Sequence, residues 1–253
     1  MRVDTVVCWK WRGPVGYRSQ FTSEHVGTLR RMVARHYPYP HRFVCVTDDP
    51  LGLDKAVEVL ELQGMPGAEW ARLPNPSWRN GPSCYRRLAL YHRDAAELFG
   101  GYRIVSMDLD SVVVGDLTPL WDRPEPLVLW SDPFFQPRGM YCGSMQMVTA
   151  GACPELFVEF DPRRSPGEAK AAGCFGSDQG WLSYRLGVSA PTWSSEDGIY
   201  SFWVHLEGLG QRPPAPPRRD LPRDARVVFF HGRRDPWHLD VLGEYPWVRE
   251  HWR

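Results

Sequence analysis

The stretch RIVSMDLDSVVVGDLTPLW, residues 103–121, carries two aspartates, Asp108 and Asp110, directly after a short apolar strand. In an open parallel sheet, ligands bind beyond the carboxyl ends of the strands, and these aspartates fall at such an end. Side chains two residues apart on an extended segment point the same way, so the two carboxylates can share one cation. Mg²⁺ and Mn²⁺ prefer such oxygen ligands, often together with substrate phosphates. The stretch therefore predicts a Mn²⁺ or Mg²⁺ site, although Asp-x-Asp is also a common turn sequence.

Alternating strand and helix patterns surround this stretch. β-branched apolar runs predict strands, and apolar residues spaced three and four apart predict helices. In chain order, the patterns predict strand 3–7, helix 21–36, strand 41–47, strand 56–62, helix 83–99, strand 102–107, short strands 127–130 and 144–148, helix 178–186 and strand 227–231. The alternation predicts an α/β fold with a Rossmann-like sheet flanked by helices, parallel in its N-terminal part.

Composition excludes several classes of protein. The 253 residues are 43% hydrophobic and 24% charged, which is typical of a globular chain. Lys+Arg and Asp+Glu both number 30, and this balance argues against a nucleic-acid-binding surface. None of the six cysteines is in a CxxC pair, and the N-terminus has no apolar signal segment. We therefore expect a cytoplasmic protein with reduced thiols, no structural zinc and no transmembrane segment.

Asp108 also fits a second chemistry. Asp-x-Asp-x-Val after a strand resembles the haloacid-dehalogenase-type phosphatases, in which the first aspartate is a covalent nucleophile. Those enzymes need a downstream lysine and an acidic pair, whereas Lys170 is the only downstream lysine and no Asp-Asp pair follows. A phosphohydrolase with Asp108 as nucleophile stays as the weaker alternative, beside a non-catalytic sugar-binding module.

Four blocks in order carry a resemblance to a known family: residues 103–121, Ser131-Asp132-Pro133 followed by YCGSMQMV, Gly176 to Leu182 (GSDQGWL), and His231 to Trp237 (HGRRDPW). They resemble the GT-A glycosyltransferases related to glycogenin and the bacterial lipopolysaccharide galactosyltransferases, a family 8-like group. The resemblance implies a GT-A-type fold and a metal-dependent hexosyltransferase. It also implies a nucleotide-sugar donor, expected to be a UDP-sugar, and an acceptor that is an unidentified carbohydrate, lipid, protein or small molecule.

The resemblance also implies the catalytic and metal-binding residues. Asp108, Asp110 and His231 would hold Mn²⁺ or Mg²⁺. Asp132 would bind sugar hydroxyls, Asp178 would contact the sugar or act as a base, and Gln179 would lie near the anomeric carbon. Asp178 also begins a predicted helix, where capping is its simpler role.

Three departures from the family pattern stand out. The family histidine aligns with Phe229, two residues before His231 on the same predicted strand face. Asp235 replaces a lysine on the diphosphate, so Arg233 or Arg234 would have to take that role. Cys142 replaces an asparagine beside the sugar.

The remaining donor contacts are expected near the first strand and before the metal strand. The expected donor-binding set is Trp9, Lys10, Asp48, Arg86, Arg87, Asp108, Leu109 and Arg234. Trp9 would stack on the base, unless it only plugs the loop, and Asp48 would accept from base or ribose, unless it only forms a turn. At most one of Arg86 and Arg87 is expected to face the site, the alternative being solvent-facing helix charge.

These expectations place the whole chain in one domain, residues 1–253. Its nucleotide-sugar and metal-binding half would be residues 1–125, and its acceptor-binding half residues 126–253.

Overall fold

The computed structural model of this protein describes residues 2–13, 20–76, 83–131, 133–134, 140–209 and 214–253. Within these ranges there are ten strands. They are β1 (Thr5–Lys10), β2 (Arg42–Thr47), β3 (Glu58–Glu61), β4 (Arg103–Met107), β5 (Ser111–Val113), β6 (Leu127–Ser131), β7 (Tyr141–Thr149), β8 (Thr192–Trp193), β9 (Ile199–Ser201) and β10 (Val227–Phe229).

Seven of these strands form the main sheet, in the spatial order β3-β2-β1-β4-β7-β6-β8. The first four are parallel, as the alternating strand and helix patterns predicted. β7 then runs antiparallel to both β4 and β6, so the sheet is mixed. The expected α/β fold with a mixed sheet flanked by helices is confirmed.

Eight α-helices lie in the described ranges. They are α1 (Ser23–His36), α2 (Ala95–Phe99), α3 (Thr118–Trp121), α4 (Glu155–Val158), α5 (Ser165–Ala171), α6 (Asp178–Leu186), α7 (Leu239–Glu244) and α8 (Pro246–His251). α1 matches its prediction because Val26, Leu29, Met32 and Val33 form one buried stripe. α6 begins and ends as predicted.

The core has two parts, one on each face of the main sheet. On one face, apolar side chains of α1 and of the C-terminal helices pack together with the strands. On the other face, the segment Tyr85–Tyr91 and α6 cover the same strands. The candidate site lies where this second layer meets the carboxyl end of β4.

The predicted helix 83–99 is wrong. Tyr85–Tyr91 is a 3₁₀ helix, and only α2 is α-helical. All seven residues of Tyr85–Tyr91 are buried, so the segment has no solvent-facing side, and the backbone N–H of Arg87 bonds to the carbonyl three residues back, at Cys84. His92 then adopts an extended conformation that ends the segment. As a consequence, Arg86 and Arg87 are not surface charges but buried cations.

β1 is longer than the predicted strand 3–7. It continues to Lys10 because Trp9 and Lys10 pair with Val46 and Thr47 of β2. Trp9 and Lys10, which lie beyond the predicted end of the strand, therefore belong to the sheet.

A second sheet of three strands, in the order β5-β10-β9, follows the two aspartates. β10 pairs antiparallel with β5, with Phe229 opposite Ser111, and the Phe230 N–H donates to the Asp110 carbonyl at 2.9 Å. The last strand ends at Phe229 rather than at the predicted residue 231. His231 is thus carried on the loop just beyond the strand, at the end of the sheet that holds Asp110.

In the described ranges, no helix is long and apolar enough to cross a membrane. All six cysteines are free thiols.

Candidate functional site

The two aspartates leave β4 in a conformation set by backbone hydrogen bonds. The Asp108 N–H donates to the Ser144 carbonyl of β7 at 2.9 Å, and the Ser111 hydroxyl donates to the Asp108 carbonyl at 2.8 Å. The Asp108 side chain is 28% exposed, and Asp110 as a residue is 8% exposed. Leu109 between them is buried in the apolar core, so only its backbone can meet a ligand. The carboxylates of Asp108 and Asp110 therefore face the site, whereas the Leu109 side chain faces the core.

Arg87 joins the strand end to α6. Its Nε and Nη2 donate to the two carboxylate oxygens of Asp178 at 2.7 and 3.1 Å. Its Nη1 donates to Asp108 Oδ1 at 2.5 Å and to the Gly143 carbonyl at 3.2 Å. One guanidinium thus holds groups from β4, β7 and α6; Arg87, Asp108, Gly143 and Asp178 are called the Arg87 cluster below.

The Arg87 cluster carries more negative than positive charge. Two carboxylates surround one guanidinium, and Arg87 and Asp178 are 5% and 1% exposed. Burial raises the pKa of the Asp108 carboxyl, and the Arg87 charge opposes that shift. An added cation beside Asp108 would offset the remaining negative charge.

Gln179 completes the arrangement from the same turn of α6. Its Oε1 accepts from the Gly143 N–H at 3.3 Å, and the side chain is half-buried. The side-chain amide group of Gln179 is then directed by the Gly143 peptide, whose carbonyl contacts Arg87. Asp178 does not cap its helix through its side chain: the N-cap residue is Ser177, and both Asp178 oxygens bind Arg87.

Replacing Gly143 with alanine is expected to lower the free energy of unfolding by about 1–3 kcal/mol, because the core there has no room. A β-carbon at Gly143 would lie 2.4 Å from Arg87 Nη2 and 3.3 Å from Asp178 Oδ2. Urea unfolding measures the effect. Gly243→Ala, at an exposed position of α7, is the matched control, since a β-carbon there meets nothing within 4 Å and should stabilise the protein by about 0.5–1 kcal/mol. Equal stability of both variants would contradict the packing described for Gly143.

The expected metal ligands reach the same end of the fold but are not gathered into a cage. Asp110 precedes β5, and His231 follows β10, where its ring packs edge-on against Trp130 at 5.2 Å between centroids. No group of three or more His, Cys, Asp or Glu residues in the described ranges could hold a metal ion by itself. The donor types nevertheless suit Mn²⁺ or Mg²⁺, which commonly bind through one or two carboxylates plus substrate phosphates rather than in all-protein cages.

The donor-binding residues expected at the end of β1 differ in how accessible their side chains are. Trp9 is 4% exposed and its indole N–H donates to the Ser106 hydroxyl at 2.9 Å, so its side chain is packed in the core. Lys10 is also buried, with Nζ on the Asp49 carbonyl and carboxylate at 2.5 and 2.8 Å. Asp48 Oδ1 accepts from the Arg12 N–H at 3.2 Å.

Trp11, two residues after Trp9, is the half-buried aromatic residue of this segment. The Arg86 guanidinium lies over its ring at 4.5 Å. Alternation along an extended segment places Trp9 and Trp11 on the same side, and their rings meet edge-on at 6.5 Å. The two neighbouring arginines therefore have different partners: Arg86 contacts the ring of Trp11, whereas Arg87 binds the two aspartates.

Arg234 lies in a cluster of carboxylates. Its guanidinium contacts Glu207 at 2.7 Å, Asp240 at 2.9 Å and Glu244 at 3.1 Å. Arg233 is exposed, while Asp235 is fully buried with its carboxylate 3.5 Å from His238. The acid that replaces the family lysine is thus buried rather than presented at the surface.

The predicted sugar contact Asp132 lies outside the described residues, just after β6 ends at Ser131. Gly143, which bonds to both Arg87 and Gln179, is a site residue that the sequence did not predict. A glycine within the run YCGSMQMV does not reveal which side chains its backbone contacts.

No protein-family profile matches the chain, and no curated protein matches its sequence. Solved structures do match its fold. The galactosyltransferase LgtC in complex with donor and acceptor sugar analogues matches with a TM-score of 0.57 at 13% identity, over 98% of this chain and 96% of that one. An active-site mutant of LgtC matches with a TM-score of 0.61 at 15% identity, over 97% and 95%.

The glycosyltransferase GlyE of Streptococcus pneumoniae matches with a TM-score of 0.55 at 12% identity, over 99% of this chain and 61% of that one. At these identities the likeness concerns the fold. The predicted GT-A-type fold is confirmed, and a shared fold does not by itself fix what a site does.

Proposed function

We propose that this protein is a glycosyltransferase that transfers a hexosyl group from a nucleotide-sugar, a UDP-sugar, to an acceptor that carries a hydroxyl group. The Arg87 cluster at the carboxyl end of β4 carries the proposal, because it joins Asp108 of the Asp-x-Asp motif to Asp178 beside Gln179. LgtC, a fold relative, is a galactosyltransferase crystallised with donor and acceptor sugar analogues.

Asp108, Asp110 and His231 are the residues that would hold Mn²⁺ or Mg²⁺, and Asp108 and Leu109 would lie against the donor. A cation held there would act as a Lewis acid and would neutralise the negative charge that grows on the departing diphosphate. Arg87 binds the Asp108 carboxylate, and Ser144 and Ser111 hold the Asp108 backbone through the carbonyl of Ser144 and the hydroxyl of Ser111.

Asp178 acts in this proposal by orienting Arg87, not by taking a proton. A general base needs an oxygen within reach of the acceptor hydroxyl. Both Asp178 oxygens are bonded to Arg87, and the residue is 1% exposed. Gln179 is half-buried and its Oε1 is taken by Gly143, so its amide N–H groups are the ones to face the donor sugar. Asp132 is proposed to bind sugar hydroxyls.

The nucleoside is proposed to lie at the end of β1, near Trp11 and Arg86. Trp11 offers an aromatic face, Arg86 a buried guanidinium, and Asp48 a carboxylate at the end of the neighbouring strand. Trp9 and Lys10 support this edge from inside the core and need not touch the nucleotide. An aromatic ring stacks on a base, and a carboxylate accepts from ribose hydroxyls or base N–H groups.

The diphosphate is proposed to meet Arg233 rather than Arg234. Arg234 is neutralised by three carboxylates, while Arg233 is exposed and follows the proposed metal ligand His231 by two residues. Arg233→Ala is therefore expected to raise the donor KM about tenfold without changing the melting temperature, since one charge-assisted hydrogen bond contributes about 1.5 kcal/mol.

Arg234→Ala, by contrast, is expected to lower the melting temperature by several degrees, because it leaves Glu207 and its neighbours without their shared cation. Its donor KM should remain near that of the wild type at temperatures where it is folded. If the donor KM rose in Arg234→Ala but not in Arg233→Ala, the diphosphate would be bound by Arg234 instead.

The test of the proposed function is a screen of nucleotide-sugars. The purified chain is incubated with UDP-glucose, UDP-galactose, UDP-N-acetylglucosamine and GDP-mannose, with Mn²⁺ or with EDTA. Release of nucleoside diphosphate is measured, together with the melting temperature, which rises when a ligand binds the native state. Mn²⁺-dependent release from a UDP-sugar, faster than from GDP-mannose, is the expected outcome.

Two other outcomes separate the alternatives. Release of inorganic phosphate from 4-nitrophenyl phosphate, with a trapped phospho-Asp108, would establish the phosphohydrolase. Sugar binding that EDTA does not change, without turnover of any nucleotide-sugar, would establish a non-catalytic module.

A further inference from the structure

Behind the Arg87 cluster, two buried polar side chains bond to one another and to Gly143. The Tyr91 hydroxyl donates to Gln146 Oε1 at 2.6 Å, and Gln146 Nε2 donates to the Gly143 carbonyl at 3.2 Å. Tyr91 and Gln146 are each 1% exposed. They come from different elements, the 3₁₀ segment Tyr85–Tyr91 and strand β7. This is a continuous hydrogen-bonded path from the second core layer to the site.

The direction of each hydrogen bond follows from what each group can do. A carbonyl only accepts, so the Gln146 amide nitrogen must face Gly143, which leaves its oxygen for Tyr91. Burial raises the pKa of the Tyr91 phenol well above its ordinary value, so the hydroxyl keeps its proton and donates. With both partners buried, removing one leaves a polar group with neither water nor protein to satisfy it.

The Gly143 peptide is the point where this path meets the site. Its carbonyl accepts from both Gln146 Nε2 and Arg87 Nη1, and its N–H donates to Gln179 Oε1. A shift of this peptide would move the guanidinium that holds Asp108 and the amide proposed to face the donor sugar. The side-chain position of Arg87 therefore depends on groups that have no contact with a substrate.

We propose that Tyr91 and Gln146 are positioning residues for sugar transfer, acting through the Gly143 peptide on Arg87 and Gln179. This inference rests on the proposed function. In an ordinary packing role, the pair would only hold β7 against the segment Tyr85–Tyr91, and its loss would lower stability without lowering the rate of the folded enzyme.

Tyr91→Phe, Gln146→Met and the double variant test the inference. Each is compared in kcat, donor KM and melting temperature on the UDP-sugar that the wild type turns over. Tyr91→Phe is expected to lower kcat about fivefold and Gln146→Met about twentyfold, with donor KM changed less than twofold. Because Tyr91 acts only through Gln146, the double variant should match Gln146→Met rather than multiply the two losses.

Tyr37→Phe is the matched control. The Tyr37 hydroxyl is also buried and also hydrogen-bonded, accepting from the Val3 N–H at 3.0 Å and donating to its carbonyl at 3.2 Å, away from the Arg87 cluster. It should lose comparable stability and keep the wild-type kcat.

Wild-type kcat in both Tyr91→Phe and Gln146→Met would overturn the positioning role while leaving the proposed function intact. Equal losses of kcat in Tyr91→Phe and Tyr37→Phe would also overturn it, since they would trace the effect to general destabilisation. If Gln146→Met does not fold, the comparison of Tyr91→Phe with Tyr37→Phe decides. A wild type that turns over no nucleotide-sugar would instead overturn the proposed function, and the positioning role with it.

Discussion

Arg87→Lys is expected to lower kcat for nucleotide-sugar turnover by about 10²–10³-fold, the range seen when one preorganised electrostatic contact is removed. The guanidinium of Arg87 binds both oxygens of Asp178, one oxygen of Asp108 and the Gly143 carbonyl. A lysine keeps the charge but has a single nitrogen, so it cannot span these groups in one plane. The measurement is kcat on the UDP-sugar that the wild type uses, beside the melting temperature.

Arg103→Lys is the control for the stability that is lost when a buried arginine is replaced. Arg103 is 1% exposed and lies at the opposite end of β4, where Nη1 donates to the Thr149 hydroxyl at 2.7 Å and Nη2 to the Arg123 carbonyl at 2.8 Å. We expect both variants to melt at lower temperature but only Arg87→Lys to lose activity. A kcat within about threefold of wild type in Arg87→Lys, a small part of the loss expected for such a contact, would reduce the Arg87 cluster to a packing element.

Asp110→Asn is expected to remove the rise in melting temperature that Mn²⁺ produces in the presence of UDP, and to lower turnover by about 10²–10³-fold. For the wild type, a ligand at a hundred times its dissociation constant stabilises the native state by about 2.7 kcal/mol. The amide has the shape of the carboxylate but is a weaker ligand for a hard cation.

Asp116→Asn tests the same substitution six residues further along the chain. Asp116 is exposed, and its Oδ1 accepts from the Thr118 N–H at 2.9 Å at the start of α3. This variant should keep both the Mn²⁺ response and the turnover. If Asp110→Asn responded to Mn²⁺ as Asp116→Asn does, the cation would have to be held elsewhere.

The local sequence was sufficient for α1, whose buried residues recur at helical spacing, and for β1, β2 and β4, which are short apolar runs buried along their length. The spacing in α1 is that of one helix face, and short β-branched runs are typical of strands that are covered on both faces. The same reasoning failed for residues 83–99, since Tyr85–Tyr91 is buried on every side and its pattern no longer reports a helix face.

For the site, the sequence indicated which residue types come together but not how they meet. Asp108 and Asp110 follow an apolar strand, and their spacing alone brings both to one end of it. The sequence could not show whether Trp9, Lys10 and Arg234 are available to contact the donor, because that depends on whether each side chain is already bound to another residue of the fold. Trp9 packs on Ser106, Lys10 is bound by Asp49, and Arg234 by Glu207.

The amino-acid sequence alone determined the α/β class, the strand that ends just before Asp108, and the acidic residues that follow it, because each of these depends on short-range periodicity and residue type. The Arg87 cluster and the path from Tyr91 through Gln146 to Gly143 are decided only by the tertiary structure. Their members are up to 91 residues apart in the chain, and a hydrogen bond forms only where the packing of separate elements brings a donor within about 3 Å of an acceptor.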